Sequence, residues 1–347
     1  MKNLILIVIV LINSIYSVNY SVPAKCDVPY NLVIYNGEVR HFFTHELIYS
    51  TEKAFSHNNV LRYSFDRDHL TTTEFIRFLD QMRLNDYVLI DFDMMYELKD
   101  GKLLSKQLFL PAGKKPFTLS LDDMSYDTTG RGIISKIIVE DDTIKDYTKG
   151  EKEEVSTQRE SITILEEYLK KYPAFSVNNS KMCICVNGYN GVLGYRIQKN
   201  NPNCEEEIKS LNVVVEKLKK SGYTFASHSY FHAFINSASS DFVKNDLQKW
   251  HDEIESVIGK SNIFCFPGGI HNAKGYNDYL IRQKFNIMLC VGLDYHKPYE
   301  SGEKFIYIYR TPLDGNSLRT YPNMYREIFE PDTIYDNNGR FIGYFNF

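Results

Sequence analysis

The alternation of strand-like and helix-like segments after residue 116 constrains the fold of this chain more than any other feature. Residues Phe117 to Leu121 alternate apolar and polar side chains, which predicts a strand with one buried face. Helical spacing of apolar residues follows within residues 162–169, 208–218 and 242–258. Further strands are predicted at residues 223–227, 263–266, 287–291 and 305–309. Because strands and helices alternate, we predict an α/β fold with a mainly parallel sheet or a barrel.

Two groups of candidate metal ligands directly follow predicted strands, where parallel α/β folds build their sites. Asp122 and Asp123 end the first strand, and His228 and His232 follow the strand at residues 223–227. Two neutral imidazoles four residues apart can hold one metal ion, and a carboxylate can complete a three-ligand set with an open side. A second carboxylate beside it can accept a proton from water, as metal-assisted hydrolysis requires. Either motif alone also fits a structural role, a turn cap for the aspartates and ordinary packing for the histidines.

The N-terminus has the composition of a secretory signal peptide. Lys2 is followed by an apolar run from Leu4 to Ile12 and then by small and polar residues. The run is shorter than the roughly 20 apolar residues of a membrane-spanning helix, and no second segment is apolar enough to cross a membrane. We therefore predict a signal peptide over residues 1–24, with an open cleavage site, and a secreted protein. An uncleaved N-terminal anchor is the alternative.

Charge and cysteine content exclude two other classes of protein. The formal net charge is -4, with acidic and basic residues interleaved, so no nucleic-acid partner is expected. The chain has 6 cysteines, too few for a disulfide-rich scaffold. Cys183 and Cys185 lie two positions apart in an apolar run, which predicts that they share one face of a strand. The oligomeric state stays open at this level.

A loop rich in proline and glycine, Pro111 to Pro116, marks the predicted domain boundary. We predict an N-terminal α/β extension over residues 25–112, a main domain over residues 113–336 and a C-terminal tail over residues 337–347. Within the extension, residues 32–35 and 87–90 are predicted strands. Thr71 to Glu74 has the spacing of a capping box, which predicts the start of a helix.

The candidate metal ligands also carry a resemblance to a known family. Asp122 and Asp123 match the first motif of polysaccharide deacetylases of the NodB-homology type, carbohydrate esterase family four. His228, Ser229 and His232 match the second motif, His-Ser/Thr-x-x-His. The resemblance implies that Asp123, His228 and His232 bind the metal and that Asp122 is the general base.

The likeness extends beyond these two motifs. The stretch Asn187 to Arg196 and the lead-in Gly113 to Pro116 resemble segments of long bacterial members. In total the resemblance runs from Phe42 to Asp336. It implies a distorted, incomplete (β/α) barrel.

The resemblance has two gaps. The third family motif usually presents an arginine, whereas Phe264 to Gly269 contains none, and the late Leu-x-His motif that supplies a general acid in typical members is not recognisable. Arg310 and Asp314 lie in a segment similar to one in the long members, with no role assigned. His45 is our candidate for a further catalytic group because it lies in another such segment; packing against the barrel rim is the alternative. His271, after the Gly268–Gly269 turn, is a second candidate to face the cleft.

Together these features predict a secreted, metal-dependent hydrolase that removes N-acetyl groups from a carbohydrate, with an N-acetylglucosamine polymer as first choice. The expected partner is therefore an N-acetylated glycan. Zinc is the expected ion for two histidines and one carboxylate, with cobalt, nickel or iron as alternatives. Two other functions stay open: a catalytically inactive carbohydrate-binding descendant that keeps the metal site, and a metal-dependent amidase on a non-sugar substrate.

Overall fold

The computed structural model of the protein describes residues 31–126, 130–150, 152–269, 277–292, 299–337 and 340. The predicted signal peptide over residues 1–24, Cys26 and His271 lie outside the described residues. Among the helices that the structure describes, none is both long and apolar enough to cross a membrane.

Strands in the described residues form one large sheet and three small ones. Their bounds are β1 Leu32–Tyr35, β2 Arg40–Thr44, β3 Tyr87–Leu89, β4 Tyr96–Lys99, β5 Lys102–Ser105, β6 Leu108–Pro111, β7 Lys115–Leu121, β8 Lys136–Glu140, β9 Thr143–Lys149, β10 Glu153–Ser156, β11 Cys183–Val186, β12 Thr224–Ser227, β13 Ile263–Cys265, β14 Ile287–Val291, β15 Tyr299–Ser301 and β16 Ile306–Pro312. The small sheets are β1–β6, β4–β5 and β8–β9–β10, and all three are antiparallel.

The large sheet closes into a barrel of parallel strands. Strands β7, β11, β12, β13, β14, β16 and β2 pair in that order, and β2 pairs again with β7. The barrel is distorted at β7, because β3 pairs with its first three residues and β11 pairs with its last two. These pairings confirm the predicted distorted (β/α) barrel. It is incomplete in that seven strands close it instead of the eight of a regular (β/α)8 barrel.

Helices connect the barrel strands and cover their outer side. The α-helices are α1 Thr51–Ala54, α2 Arg62–Asp68, α3 Thr72–Leu84, α4 Ser161–Lys171, α5 Cys204–Lys220, α6 Ser240–Trp250, α7 Ser256–Ile258, α8 Asn277–Arg282 and α9 Gly315–Thr320. A π-helical segment, His251–Glu255, joins α6 to α7, and short 3-10 turns span Phe92–Met94, Pro173–Phe175, Pro267–Gly269, Pro322–Met324 and Pro331–Thr333. The predicted capping box is confirmed at α3, where Thr71 and Glu74 exchange side-chain-to-backbone hydrogen bonds.

Successive side chains along the barrel strands point alternately outward and inward, which gives the protein an outer and an inner hydrophobic core. Phe117, Leu119 and Leu121 of β7 belong to the outer core with the residues of the covering helices, as the alternating pattern predicts. The intervening Thr118 and Ser120 face the barrel interior, where each forms a side-chain hydrogen bond. On β11, the predicted shared face of the two cysteines is confirmed, since Cys183 and Cys185 both belong to the inner core.

The N-terminal region contributes directly to the barrel. Strand β2 lies between β16 and β7, with Phe42 opposite Thr311 on one side and Leu119 on the other. The region predicted as an extension over residues 25–112 therefore supplies one of the barrel strands, and the loop before residue 116 leads from a small sheet into β7. In the predicted tail, Arg340 is buried against Glu74 and so belongs to the folded body.

Candidate metal centre and active site

A left-handed backbone conformation separates the two adjacent aspartates at the end of β7. Asp122 continues the alternation of the strand and points into the barrel, where it is 3% exposed. Asp123 has a φ of 58°, a conformation that is uncommon for residues other than glycine. Its carboxylate faces the two histidines that follow β12 instead of the barrel interior. The two carboxylates therefore have different neighbours although they are adjacent in the sequence.

Asp123, His228 and His232 form a group that could hold a metal ion. The Nε2 atoms of His228 and His232 lie 3.6 and 3.5 Å from the two carboxylate oxygens of Asp123. One ligand atom from each residue lies within 4.8 Å of the others. His228 is buried, whereas the Asp123 and His232 side chains are 28% and 26% exposed, so one side of the group is accessible. Two imidazoles and one carboxylate with an accessible side are the ligand set of many catalytic zinc sites.

Local hydrogen bonds orient the histidines. His228 Nδ1 donates to the Cys265 carbonyl oxygen at 3.0 Å, which leaves Nε2 as the nitrogen that can bind metal. Ser229 and His232 have φ angles of 54° and 55°, so the loop turns sharply at both positions. The Ser229 hydroxyl oxygen accepts a hydrogen bond from the Ala233 N–H at 2.7 Å and stabilises this turn. Backbone conformations of this uncommon kind cluster at functional sites.

Asn187, directly after β11, orients the carboxylate of Asp123. Its Nδ2 donates to Asp123 Oδ1 at 2.7 Å, and its side chain is buried. The Oδ1 atom of Asn187 has no hydrogen-bond partner among the described residues. Partners of this kind behind a metal ligand fix its direction and raise its affinity for the ion.

Arg310 in β16 forms a buried, bidentate ion pair with Asp122. Its Nη1 and Nη2 atoms donate to Asp122 Oδ1 and Oδ2 at 2.7 and 2.9 Å. Nη1 also donates to Ser120 Oγ at 2.7 Å, and Nη2 lies 3.1 Å from Cys265 Sγ. The guanidinium stacks over the Phe43 ring at 4.4 Å from its centroid. This two-point geometry holds the Asp122 carboxylate in one orientation.

Neighbouring charges determine the protonation of the site. Burial alone would raise the pKa of Asp122, but the Arg310 guanidinium and His228 hold that pKa well below its usual range. Burial alone would lower the pKa of His228, but Cys265 and Asp123 raise it. Burial lowers the pKa of His232 and outweighs the opposing effect of Asp123.

Comparison with known families identifies part of the chain. Residues 168–281, about a third of its length, match the family model described as polysaccharide deacetylase. These residues are similar to a polysaccharide deacetylase domain. Such a domain hydrolyses carbon–nitrogen bonds in carbohydrates, so the family resemblance and the enzyme class predicted from the sequence are confirmed. No curated protein matches the chain significantly.

Three solved structures are similar to this chain at low sequence identity. A deacetylase from Streptococcus pyogenes, in complex with acetate, shares 14% identity over 86% of this chain and 100% of its own, with a TM-score of 0.46. A de-N-acetylase from Aggregatibacter actinomycetemcomitans shares 14% identity over 84% and 99%, with a TM-score of 0.47. A polysaccharide deacetylase from Bacillus cereus shares 11% identity over 80% and 65%, with a TM-score of 0.45. Because these TM-scores are low, the fold assignment rests on the strand order of the barrel.

His45 lies at the C-terminal end of β2, on the same side of the deacetylase barrel as both aspartates. Its Nδ1 donates to the Asp68 carbonyl oxygen at 2.9 Å, which directs Nε2 away from that backbone. Burial lowers the pKa of His45, but Asp123 and Asp122, followed by Glu46, raise it above its ordinary value. The charges of both aspartates therefore favour the protonated form of this imidazole.

The barrel brings the sequence-predicted site residues of the deacetylase domain together, while their roles stay predictions. Asp122, Asp123, His228, His232 and His45 all follow barrel strands at one end. Sequence reasoning did not foresee the contacts of Asn187 and Arg310. The family resemblance held a signal for the latter, since the third motif lacks its usual arginine here and Arg310 lies in a segment similar to one in the long members. Asp314, also left without a role, accepts a hydrogen bond from the Ser317 N–H and caps α9.

Proposed function

We propose that the protein is a metal-dependent deacetylase that hydrolyses N-acetyl groups on a carbohydrate and releases acetate. The observation that carries the proposal is the grouping of Asp123, His228 and His232 beside a separately held carboxylate, Asp122. An N-acetylglucosamine polymer is the first-choice substrate from the family resemblance. The apolar N-terminal run supports secretion, so we expect the enzyme to act outside the cell.

The donor set fits a divalent ion. Asp123 offers a carboxylate oxygen, and His228 and His232 offer Nε2 atoms; zinc suits this set best, with cobalt, nickel or iron as alternatives. When bound, the ion would supply Lewis-acid activation of the acetamide carbonyl and of the attacking water. The hydrogen bonds of Asn187 to Asp123 and of His228 to the Cys265 carbonyl hold two of the three ligands in place.

Asp122 is the general base of this proposal. Its low pKa keeps it ionised at neutral pH, which is the form that accepts a proton from the attacking water. Asp122 Oδ1 accepts a hydrogen bond from Arg310 Nη1, while Oδ2 accepts from Arg310 Nη2 and from Cys265 Sγ, so Oδ1 is the oxygen that keeps a further lone pair for the proton. Because the pair is buried, the carboxylate is held in position instead of exchanging among rotamers in solvent.

His45 is the general acid of this proposal. Cleavage of the acetamide C–N bond leaves an amine, which departs readily only when a proton is delivered to its nitrogen. Despite burial, Asp123, followed by Asp122 and Glu46, raises the pKa of His45; Asp122 and Glu46 are not ligands in this proposal, so their charges still favour the imidazolium that can give this proton. Its hydrogen bond to the Asp68 carbonyl oxygen fixes the ring. His45 therefore supplies the function that the unrecognised Leu-x-His motif has in typical family members.

Exposed aromatic rings beside the centre support a carbohydrate substrate. Phe234 is 47% exposed, and its ring centroid lies 5.6 Å from that of His232. Tyr189 is 43% exposed and is close enough to Asp123 for that carboxylate to raise its pKa, after the larger effect of burial. Exposed apolar groups at a site mark surfaces that bind a partner, and the C–H faces of a sugar ring can stack on them.

Acetate release from N-acetylglucosamine oligomers tests the proposal. We expect release by the purified protein, loss of release after treatment with a chelator, and recovery on addition of Zn²⁺. Asp122→Asn and His45→Asn should each lower kcat at least about 100-fold with the metal content unchanged. The exposed Asp93, which is not part of the site, provides the control Asp93→Asn, which should match the unaltered protein.

Two other outcomes would replace the proposal. A metal-loaded protein that binds N-acetylated glycans and releases no acetate from any of them would be a binding descendant. Release from simple acetamides but from no glycan would indicate an amidase on a non-sugar substrate.

A further inference from the structure

A second group of potential metal ligands lies on the interior side of the proposed metal site. It consists of Asp122, His228 and Cys265, whose ligand atoms lie within 4.8 Å of one another. All three residues are buried, and this inner group differs from the proposed site in offering a thiol. A thiolate, an imidazole and a carboxylate are all ligands that zinc and cobalt accept. Since both groups contain His228, the inner group would compete with the proposed site for the same ion.

The guanidinium of Arg310 takes the place of a cation in the inner group. Its Nη2 atom lies 2.9 Å from Asp122 Oδ2 and 3.1 Å from Cys265 Sγ. Cys265 Sγ itself lies 3.4 Å from the same carboxylate oxygen. The guanidinium therefore bridges two of the three ligands, and its charge is permanent because arginine does not deprotonate in proteins. A divalent ion at these ligands would have to displace this charge.

Contacts from several barrel strands hold the guanidinium in place. Nη1 donates to Ser120 Oγ of β7 at 2.7 Å, and Nε donates to the Cys290 carbonyl oxygen of β14 at 3.4 Å. The Phe43 ring of β2 lies against its face. With a side chain 1% exposed, Arg310 is enclosed by these strands.

We propose that Arg310 gives the two adjacent aspartates their different roles by acting as a built-in cation. It engages Asp122, prevents that carboxylate and Cys265 from ligating metal, and confines the ion to Asp123, His228 and His232. Arg310 is thus a positioning residue for both the base and the metal. The inference rests on the proposed metal site and explains why one of two neighbouring carboxylates binds the ion while the other stays available as base.

Cobalt substitution of the full-length protein tests the inference, since Co²⁺ bound to a thiolate shows a sulfur-to-cobalt charge-transfer absorption in the near ultraviolet. The unaltered protein should bind one Co²⁺ without this absorption. Arg310→Met should still bind one Co²⁺, because the groups share His228, but the absorption should appear as the ion moves to the inner group. Arg310→Met combined with Cys265→Ser should lose the absorption again. Arg310→Lys, which keeps a cation, should stay close to the unaltered protein.

A matched control separates this effect from the loss of any arginine–carboxylate pair. Arg319 donates to Asp66 at 3.1 Å, and Asp66 belongs to α2, outside both ligand groups. Arg319→Met should therefore leave the cobalt spectrum unchanged. Circular dichroism and thermal unfolding of each variant show whether it is folded.

The unaltered protein alone can overturn the inference, whether or not Arg310→Met folds. A thiolate absorption with Arg310 in place would show that the guanidinium does not exclude the ion from the inner group. An unchanged spectrum in a folded Arg310→Met would likewise refute it, while one N/O-bound Co²⁺ would still support the proposed metal site. Failure of the unaltered protein to bind any Co²⁺ or Zn²⁺ would instead refute the proposed function.

Discussion

Asn187 offers a direct test of how the proposed metal site is preorganised. Its Nδ2 donates a 2.7 Å hydrogen bond to Asp123 Oδ1, and the residue is buried. In Asn187→Ala the donor is lost, while Asp123, His228 and His232 keep their own atoms. The carboxylate of Asp123 can then rotate. Binding of the ion must fix its orientation, and the free energy of metal binding becomes less favourable.

Two independent estimates of the loss in metal-binding free energy agree for Asn187→Ala. A hydrogen bond to a charged group contributes about 1.5–3 kcal/mol. Loss of a partner behind a metal ligand typically weakens metal affinity 10- to 100-fold, which corresponds to about 1.4–2.8 kcal/mol. We therefore expect the Kd for Zn²⁺ of Asn187→Ala to rise by about 10- to 100-fold.

Competition with a chromophoric chelator measures this Kd, and Asn286→Ala is the matched control. Asn286 is also buried, also donates through Nδ2 to an oxygen at 2.7 Å, the Lys304 carbonyl, and also has an Oδ1 without a hydrogen-bond partner among the described residues. Both variants should lose a similar amount of stability in urea, but only Asn187→Ala should lose metal affinity. Equal metal affinity in the two variants would refute the reasoning.

Three further predictions concern the stability of the fold. Burial raises the pKa of Glu160 to about 8 from an ordinary 4.5, so the folded state keeps a proton that the unfolded state releases. The free energy of unfolding should therefore fall as pH rises from 5 to 8, by up to about 4 kcal/mol, and Glu160→Gln should flatten this slope in urea titrations at several pH values. Arg340→Met should lower the free energy of unfolding by about 3–5 kcal/mol in the same assay, because it leaves Glu74 buried without its cation; a loss below about 1 kcal/mol would show that this ion pair contributes little to stability. Gly194 (φ 92°) and Gly101 (φ 76°) both have left-handed backbones, but of the two only Gly194 is placed so that a Cβ would meet a backbone oxygen, at 2.2 Å. Gly194→Ala should therefore lower the melting temperature clearly more than Gly101→Ala. Equal shifts in melting temperature would contradict the steric argument.

Local sequence patterns were sufficient to predict features that depend on a single strand or a single turn. The alternation of Phe117 to Leu121 predicted which face of β7 is buried, and the capping box at Thr71 predicted where α3 begins. The small sheet β8–β9–β10 was not predicted, because apolar residues do not alternate along its strands: the buried face of β9 carries Asp146 and Thr148 beside Ile144.

Contacts between residues on distant strands could be recognised only from the closed barrel. Arg310 and Asp122 are 188 positions apart, and they meet because β16, β2 and β7 are consecutive barrel strands. Cys265 reaches the same carboxylate from β13 on the other side of the barrel. No spacing in the sequence encodes these pairs, since each depends on strand order, register and closure.

The residue types and their places at strand ends thus predicted a metal site built from the Asp122–Asp123 pair, His228 and His232, because the C-terminal ends of parallel strands must meet at one edge. They did not specify what distinguishes Asp122 from Asp123. That difference comes from a left-handed φ at Asp123, which turns its carboxylate toward the histidines, and from the burial of Arg310 beside Asp122. A buried carboxylate and a buried guanidinium stabilise each other only when the fold brings them into contact, and here the closed barrel does so.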